Sequence, residues 1–194
     1  MNISAVILAA GQSKRMGQPK MLLPWKNGTV LGKVIDTIQQ AGIEDILVVT
    51  GGAREEVEKI AAKHNSRVTY NQNYATSEML ESIQLGLRGQ KIQTGATLIC
   101  LGDQPQVESE SVRQICEGFR QDQSHIVVPS YQMRRGHPWL IAIEFWDEIL
   151  QLRAPRSMRD FLNAHRDDIF YVECESPKIL QDIDNPADYL KYRP

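Results

Sequence analysis

The sequence predicts an α/β domain, a three-layer sandwich on a mostly parallel sheet with one small antiparallel excursion. Three observations predict it. Strand-like apolar runs alternate with amphipathic stretches of about 10–12 residues, the rhythm of βαβ units with right-handed crossovers. The first run, Ile3–Ala9, is apolar apart from Ser4, as expected of a strand buried on both faces. Beyond Pro129 the alternation fails, where an arginine-rich segment separates two short strand-like pieces.

The elements follow in order. After Ile3–Ala9, the stretch from Val30 to Ala41 carries apolar residues at Val30, Leu31, Val34, Ile35, Ile38 and Ala41, a helical stripe closed by Gly42. Ile46–Thr50 is a second strand, punctuated by Gly51-Gly52, and Arg54–His64 an amphipathic helix through Val57, Ile60 and Ala61. Arg67–Tyr70 reads as a short strand, Glu78–Leu87 as a helix, Thr97–Leu101 as a buried strand, Ser111–Phe119 as a helix and Ile126–Pro129 as a fifth strand. Tyr131–Met133 and Trp139–Ile143 then flank Arg134-Arg-Gly-His-Pro138 as a hairpin-like excursion. Glu144–Leu152 and Met158–His165 read as helices, Phe170–Cys174 as a strand and Pro186–Tyr192 as a terminal helix.

Bulk properties narrow the function classes. A chain of 194 residues, without repeats or linkers, suits one domain over 1–194. Its formal net charge of −2 provides no global basic field for nucleic acid. Cys100, Cys116 and Cys174 are odd in number and widely spaced, against a disulfide framework or a zinc site and in favour of a reducing cytosol. With neither a signal-peptide pattern nor an apolar run of about 18 residues, a cytoplasmic protein without membrane attachment is expected.

The most informative segment is Leu8-Ala-Ala-Gly-Gln-Ser-Lys-Arg-Met-Gly-Gln-Pro-Lys20, directly after the first strand. Small residues at Ala9, Ala10 and Gly11 let backbone approach a ligand, and Lys14, Arg15 and Lys20 follow. Successive N–H groups in such a turn make an anion-binding concavity, to which cations add charge-assisted bonds. A polyphosphate at the end of strand one is the expectation. It is not a Walker loop: Gly11 and Gly17 are one residue too far apart, and Gln18-Pro19 follows. The dinucleotide fingerprint fails as well, because Gln12 and Ser13 follow Gly11. Kinase and dehydrogenase readings lose their main support.

Gly102-Asp-Gln-Pro105 follows another buried strand and so shares the carboxyl edge of the sheet, where open α/β sheets bind ligands. Asp103 at a buried strand end needs a partner, and beside a triphosphate Mg²⁺ is the natural one; a turn-forming aspartate is the plainer alternative. In Asp182-Ile-Asp184-Asn-Pro186, alternation puts both carboxylates on one side, as candidate second metal ligands, Asp184 first. The rival reading is an N-cap at Asn185 with Pro186 at the first helical position.

Asn71-Gln-Asn-Tyr74, Ser77, Glu78 and Ser82 form a polar patch able to read a nucleobase edge. Ser77 is expected rather to cap the following helix, while for Ser82 core packing and base contact compete. Arg134-Arg135 suits a second anion, such as an acceptor phosphate. His137 could orient it or titrate near neutral pH. Tyr131, Trp139 and Phe145 are expected in the core, with a heterocycle wall as the alternative.

These residues resemble the signature of the MobA-like nucleotidyltransferases. The first motif is shared across that superfamily; Gly102-Asp-Gln-Pro105, Arg135-Gly-His-Pro138 and Asp182-Ile-Asp184-x-Pro186 make the chain most similar to its molybdenum cofactor cytidylyltransferase branch, over nearly the whole length. Ala10, where a guanylyltransferase branch has glycine, favours cytidine. The resemblance implies transfer of CMP from CTP, or another NTP in its place, to the terminal phosphate of molybdopterin with release of pyrophosphate. It also implies a molybdenum hydroxylase as a further partner. Residue by residue, it implies nucleotide contacts at Leu8, Ala9, Ala10 and Gly11, phosphate contacts and catalysis at Arg15 and Lys20, and a metal at Asp103. The chain departs from the family at Glu78-Met79, where Gly-Met is common. It departs again at Ala154-Pro-Arg-Ser-Met158, where Gly-Asp-x-Gly-Ala-Arg is frequent, toward the acceptor. The combined expectation is a Rossmann-like α/β nucleotidyltransferase with Asn71 and Ser82 at the nucleotide and Arg135 and His137 at the acceptor. Its rivals are the same chemistry on a sugar or polyol phosphate, and a non-catalytic nucleotide-binding protein that delivers cofactor.

Overall fold

The computed structural model describes residues 2–91, 93–121 and 125–194. Strand β1 is Asn2–Ala9, and the chain then makes a long turn into a short 3-10 segment, Lys20–Leu22. A two-stranded ribbon, β2 (Pro24–Trp25) and β3 (Gly28–Thr29), leads into α1, Val30–Gln40, whose first turn is capped by the Thr29 side chain accepting from the Gly32 N–H at 3.0 Å. There follow β4 (Ile46–Thr50), α2 (Arg54–Lys63), β5 (Arg67–Tyr70), α3 (Met79–Arg88), β6 (Thr94–Leu101) and α4 (Ser109–Gln121). The last third contains β7 (Ile126–Tyr131), β8 (Arg134–Arg135), β9 (Trp139–Ala142), α5 (Trp146–Gln151), α6 (Met158–Ala164), β10 (Ile169–Glu173) and α7 (Pro186–Tyr192).

The main sheet runs β10-β7-β9-β6-β1-β4-β5, with β8 added on β7. Pairs β1–β4, β1–β6, β4–β5 and β7–β10 are parallel, whereas β9 is antiparallel to both neighbours. The expected α/β sandwich with a mostly parallel sheet is thus what the chain forms.

Its layers follow from the period of two along β1. Ala5, Ile7 and Ala9 face one side, against Leu31, Ile35 and Ile38 of α1, Val57 of α2 and Ile115 of α4. Val6, Leu8 and Ala10 face the other, against Ile83 and Leu87 of α3, Ile149 of α5 and Phe161 of α6. A third, smaller cluster of Met16, Leu23, Trp25, Val30 and Ile183 ties the turn after β1 to the C-terminal tail.

Three sequence expectations need correction. The excursion after Pro129 is not a hairpin between Tyr131–Met133 and Trp139–Ile143. The hairpin is β7–β8, with Tyr131 opposite Arg134 and a tight turn at Gln132-Met133, both at positive φ (49° and 63°). Trp139–Ala142 instead threads between β6 and β7, because its residues are buried on both faces and a central slot is where such a run pairs fully. The helix expected over Glu144–Leu152 begins only at Trp146, after a 3-10 turn at Ile143–Phe145. Ser77 does not cap α3: Glu78 holds the cap position without a side-chain bond, since the Ser77 hydroxyl is engaged by Asn71. Among the described residues, no helix is long and apolar enough to cross a membrane.

Helix α3 reaches β1 because Gly86 has no side chain. A Cβ there would lie 2.4 Å from Val6 Cγ1, in a core that cannot yield. We expect Gly86→Ala to lower stability by about 1–3 kcal/mol despite the better helix propensity of alanine. Val6→Ala in the same chain should recover part of the loss in a thermal-melt double-mutant cycle; additive losses would show that the contact does not limit packing.

Candidate active site

The carboxyl edge of the sheet brings three distant segments together. The turn after β1 is organised around Ser13, at φ 53°, whose carbonyl accepts from Met16 (3.0 Å) and Gly17 (3.2 Å) and whose hydroxyl accepts from the Lys20 N–H (3.0 Å). Gly17 lies at φ 73°, a conformation that costs glycine least. Met16 and Met21 are buried on either side of this stretch and pin it down. After β6, the Gly102 N–H donates to the Leu8 carbonyl at 3.0 Å, and a Cβ at residue 102 would come within 2.9 Å of that oxygen and 3.0 Å of Met21 Sδ. Glycine therefore lets the segment carrying Asp103 cross the tip of β1. The tail joins them through the Ile183 N–H, which donates to the Asp103 carbonyl at 3.1 Å, while the Ile183 side chain is buried in the third cluster.

The outcome is a charge cluster on a single ammonium. Lys20 Nζ bonds to Asp103 Oδ2 and lies 3.3 Å from Asp184 Oδ1; Arg15 donates to Asp184 Oδ2 at 2.9 Å. The Lys20 and Asp103 side chains are only 12% and 14% exposed, so neither charge could stand alone there. Burial alone would lower the Lys20 pKa, but Asp103 and Asp184 outweigh it and hold the ammonium above its ordinary value. Asp182 accepts from the buried amide of Gln104, and burial raises its carboxyl above the usual range, with Asp103 and Asp184 adding to the effect. Ile183 turned inward leaves Asp182 and Asp184 on the other side, as alternation requires. The cap reading of this tail is what forms: Asn185 caps α7, accepting from the Asp188 N–H at 3.0 Å, and the same tail brings Asp184 to Lys20.

Lys20 and Asp103 open into a cleft of about 270 Å³, also lined by Leu8, Ala10, Gly11, Tyr74, Ser77 and Ser82. Next in sequence to the lining residues Gly11 and Tyr74, Gln12 and Ala75 are joined by the Gln12 amide donating to the Ala75 carbonyl at 2.6 Å. Ala9 is not part of this wall, because alternation turns its side chain into the core on the opposite face. Asn71 also lies behind the wall, 5% exposed, with its amide bonded to neighbouring residues. Arg15 stands outside, 73% exposed.

A second, larger cleft of about 730 Å³ adjoins the first across a shared wall of Glu78 and Met79. Arg135 and His137 are both in it, with Arg134, Trp139, Arg159 and Asn163. Arg135 is oriented by Tyr171 Oη (2.9 Å) and Asn163 Oδ1 (2.8 Å). The His137 ring stacks on Trp139 with centroids 4.1 Å apart. Its Nε2 is buried without a partner among the described residues, and burial lowers its pKa to about 4. It is therefore neutral at pH 7 rather than titrating there. Of Tyr131, Trp139 and Phe145, Trp139 alone lines either of these two clefts. The sequence assigns no contact to Gln104, Gln12 or Asn163. Gln104 and Gln12 lie within its motifs, but the partners of Gln12 and Asn163 are 63 and 28 residues away and carry no local signal. Of the two stretches that depart from the family pattern, Glu78-Met79 and the last two residues of Ala154–Met158, Ser157 and Met158, line this second cleft.

A family profile described as MobA-like NTP transferase domain matches residues 5–169. The molybdenum cofactor cytidylyltransferase of Escherichia coli (strain K12) is 32% identical over 188 residues, covering 97% of this chain and 94% of that one. Among solved structures, a nucleotidyl transferase from Methanothermobacter thermautotroptrophicus superposes with a TM-score of 0.84 at 27% identity, over 99% of this chain and 96% of the other. Rv0371c of Mycobacterium tuberculosis H37Rv, solved in complex with manganese, gives 0.79 at 26% identity, over 98% and 97%.

A histidine whose folded pKa lies below its unfolded value holds its proton more weakly when folded. Stability is therefore full above pH 6.5 and falls as pH drops toward 4. His137→Phe, which keeps the stack on Trp139, should flatten that segment of the stability–pH curve by on the order of 3 kcal/mol. Urea titrations of both proteins at several pH values measure the difference, and parallel curves would show that His137 is not held neutral.

Proposed function

The chain belongs to the family of MobA-like NTP transferases, and from that premise we propose that it transfers CMP from CTP to the phosphate of molybdopterin, releasing pyrophosphate. It is a nucleotidyltransferase of the cytidylyltransferase type; CTP as donor and molybdopterin as acceptor are the finer reading. The observation that carries it is Lys20 held between Asp103 and Asp184 at the floor of the first cleft, beside a basic second cleft. Residues 1–194 act as one domain in this reading. The three buried, free thiols suit a reducing compartment, so the reaction is assigned to the cytoplasm.

An oxygen of the acceptor phosphate attacks the α-phosphorus in line, forming a new P–O bond. The bond from the α-phosphorus to its bridging oxygen breaks, and pyrophosphate leaves with the electron pair. A phosphate nucleophile is already ionised at neutral pH, so no side chain need remove a proton. What the protein contributes is position and counter-charge. Gly11, with open space around its Cα, offers backbone to the phosphates, Lys20 neutralises charge at the α- and leaving phosphates, and Arg15 adds a second cation at the rim. Asp103 and Asp184 fit a divalent cation, because both carboxylates already converge on one positive centre. Mg²⁺ bound there would offset charge on the phosphate oxygens. In the second cleft, Arg135 faces an anion with its guanidinium fixed in place, and the His137–Trp139 stack presents a flat surface suited to a pterin.

Pyrophosphate release from CTP, GTP, UTP and ATP, tried against molybdopterin, sugar phosphates and polyol phosphates, tests the assignment. Release from CTP with molybdopterin alone is expected. Release only with a sugar or polyol phosphate would replace the acceptor, and tight CTP binding with no release under any acceptor would mark a delivery protein. Lys20→Ala should lower turnover by at least about 100-fold, the scale of one lost electrostatic contact; a loss of a few-fold would remove Lys20 from the mechanism. Triphosphate binding draws Lys20 away from Asp103 and Asp184 and leaves two carboxylates without counter-charge. CTP and Mg²⁺ together should therefore raise the melting temperature by more than the sum of their separate effects. Additive shifts would place them at separate sites.

A further inference from the structure

Asn71 sits at the end of β5, where its backbone N–H continues the ladder to the Thr50 carbonyl at 3.0 Å. Its side chain is buried, and every strong group on it is engaged. Oδ1 accepts from the Asn73 N–H at 2.9 Å, while Nδ2 donates to Ser77 Oγ and Ser82 Oγ, both at 3.0 Å. The orientation of the amide is not arbitrary. A backbone N–H can only donate, so the atom facing Asn73 must be the oxygen. Both amide hydrogens are then committed to the two serines.

That commitment fixes the polarity of the cleft wall. A hydroxyl has one proton; when its oxygen accepts from Asn71, the proton remains free for another partner. Ser77 and Ser82 both line the cleft that holds Lys20 and Asp103. Two oxygens tied to one nitrogen therefore keep two O–H donors available to whatever lies in the cleft.

We propose that Asn71 is a positioning residue for base selection, acting through Ser77 and Ser82 to present paired donors to the base. The proposal rests on the nucleotidyl-transfer reading of this cleft. Cytosine meets paired donors with two adjacent acceptors, O2 and N3. Uracil has a protonated N3, and guanine presents N1–H and N2–H there, so donors would face donors. A base that leaves a buried donor unpaired is rejected far more strongly than one that merely fits loosely. Asn71 thus selects the base without touching it.

The deciding variant is Asn71→Asp. A carboxylate only accepts, so both hydroxyls rotate to donate to it and present lone pairs to the cleft instead. Dissociation constants for CTP and GTP, measured with Mg²⁺ at pH 8 on the full chain, should show the CTP-over-GTP ratio falling by at least about tenfold, with GTP binding tighter in absolute terms. A purely structural role would weaken both nucleotides alike and leave the ratio unchanged, which would overturn the proposal. Should Asn71→Asp fail to melt cooperatively, the double variant Ser77→Ala/Ser82→Ala decides. With Asn71 intact and the donors gone, CTP preference should disappear without any gain for GTP, and retained preference would overturn the proposal. A parent protein that binds no nucleotide, or binds CTP and GTP equally, would sink the cytidylyl-transfer reading itself. Preference in the parent with an unmoved ratio in the variants would sink only the role of Asn71.

Discussion

One buried ammonium holds the functional edge of this protein together. Lys20 is shared between Asp103 and Asp184, which come from the segment after β6 and from the C-terminal tail. Taking such charges out of water costs several kcal/mol per ion, and their attraction only offsets that cost when the geometry is good. A pairing of this kind is a poor way to gain stability. It is a good way to keep cation and carboxylates dehydrated and close together. Arg15 stands outside at the Asp184 carboxylate, where solvent screening leaves its bond weak and easily redirected.

Backbone approach makes this arrangement possible. Gly102 lets one strand tip cross another, and Gly51 does the same on the other flank, where a Cβ would meet the Ala10 carbonyl at 2.3 Å. Apolar anchors then fix the polar groups. Met16 and Met21 hold the turn that carries Lys20, and Ile183, fully buried between Asp182 and Asp184, holds the tail. The chemistry sits on loops, but rigid strands and buried side chains decide where those loops go.

Two clefts meet at Glu78 and Met79, one with a charged floor and the other a basic, partly aromatic chamber. Glu78 takes the place of a frequent family glycine without strain, since its φ of −87° is open to any residue. The second departure, around Ala154–Met158, gives α6 a capping box from Ser157 and Asp160 and places Ser157 on the chamber wall. Differences from the family pattern therefore reach the second cleft at both stretches, and the first only at the wall the two share, Glu78 and Met79. That distribution is expected when one scaffold carries a common reaction to different acceptors.

The sequence by itself determined the sandwich, the succession of strands and helices along the first half, the shared sheet edge of Lys20 and Asp103, and the capped start of α7. These rest on local signals: periods of 2 and 3.6, glycines after strands, and an Asn-Pro pair. It could not place Trp139–Ala142, because a short apolar run says how buried a strand is and not which neighbours it takes. It assigned Asn71 to the ligand when the side chain stands one layer behind, and treated His137 as a titrating group when burial keeps it neutral. Only the tertiary structure decided that Lys20 would be held by residues 83 and 164 positions away, or that Gln12 would bond to Ala75. Periodicity reports how each residue meets its own element, whereas hydrogen-bond partners and desolvation depend on which distant elements the packed chain brings against it.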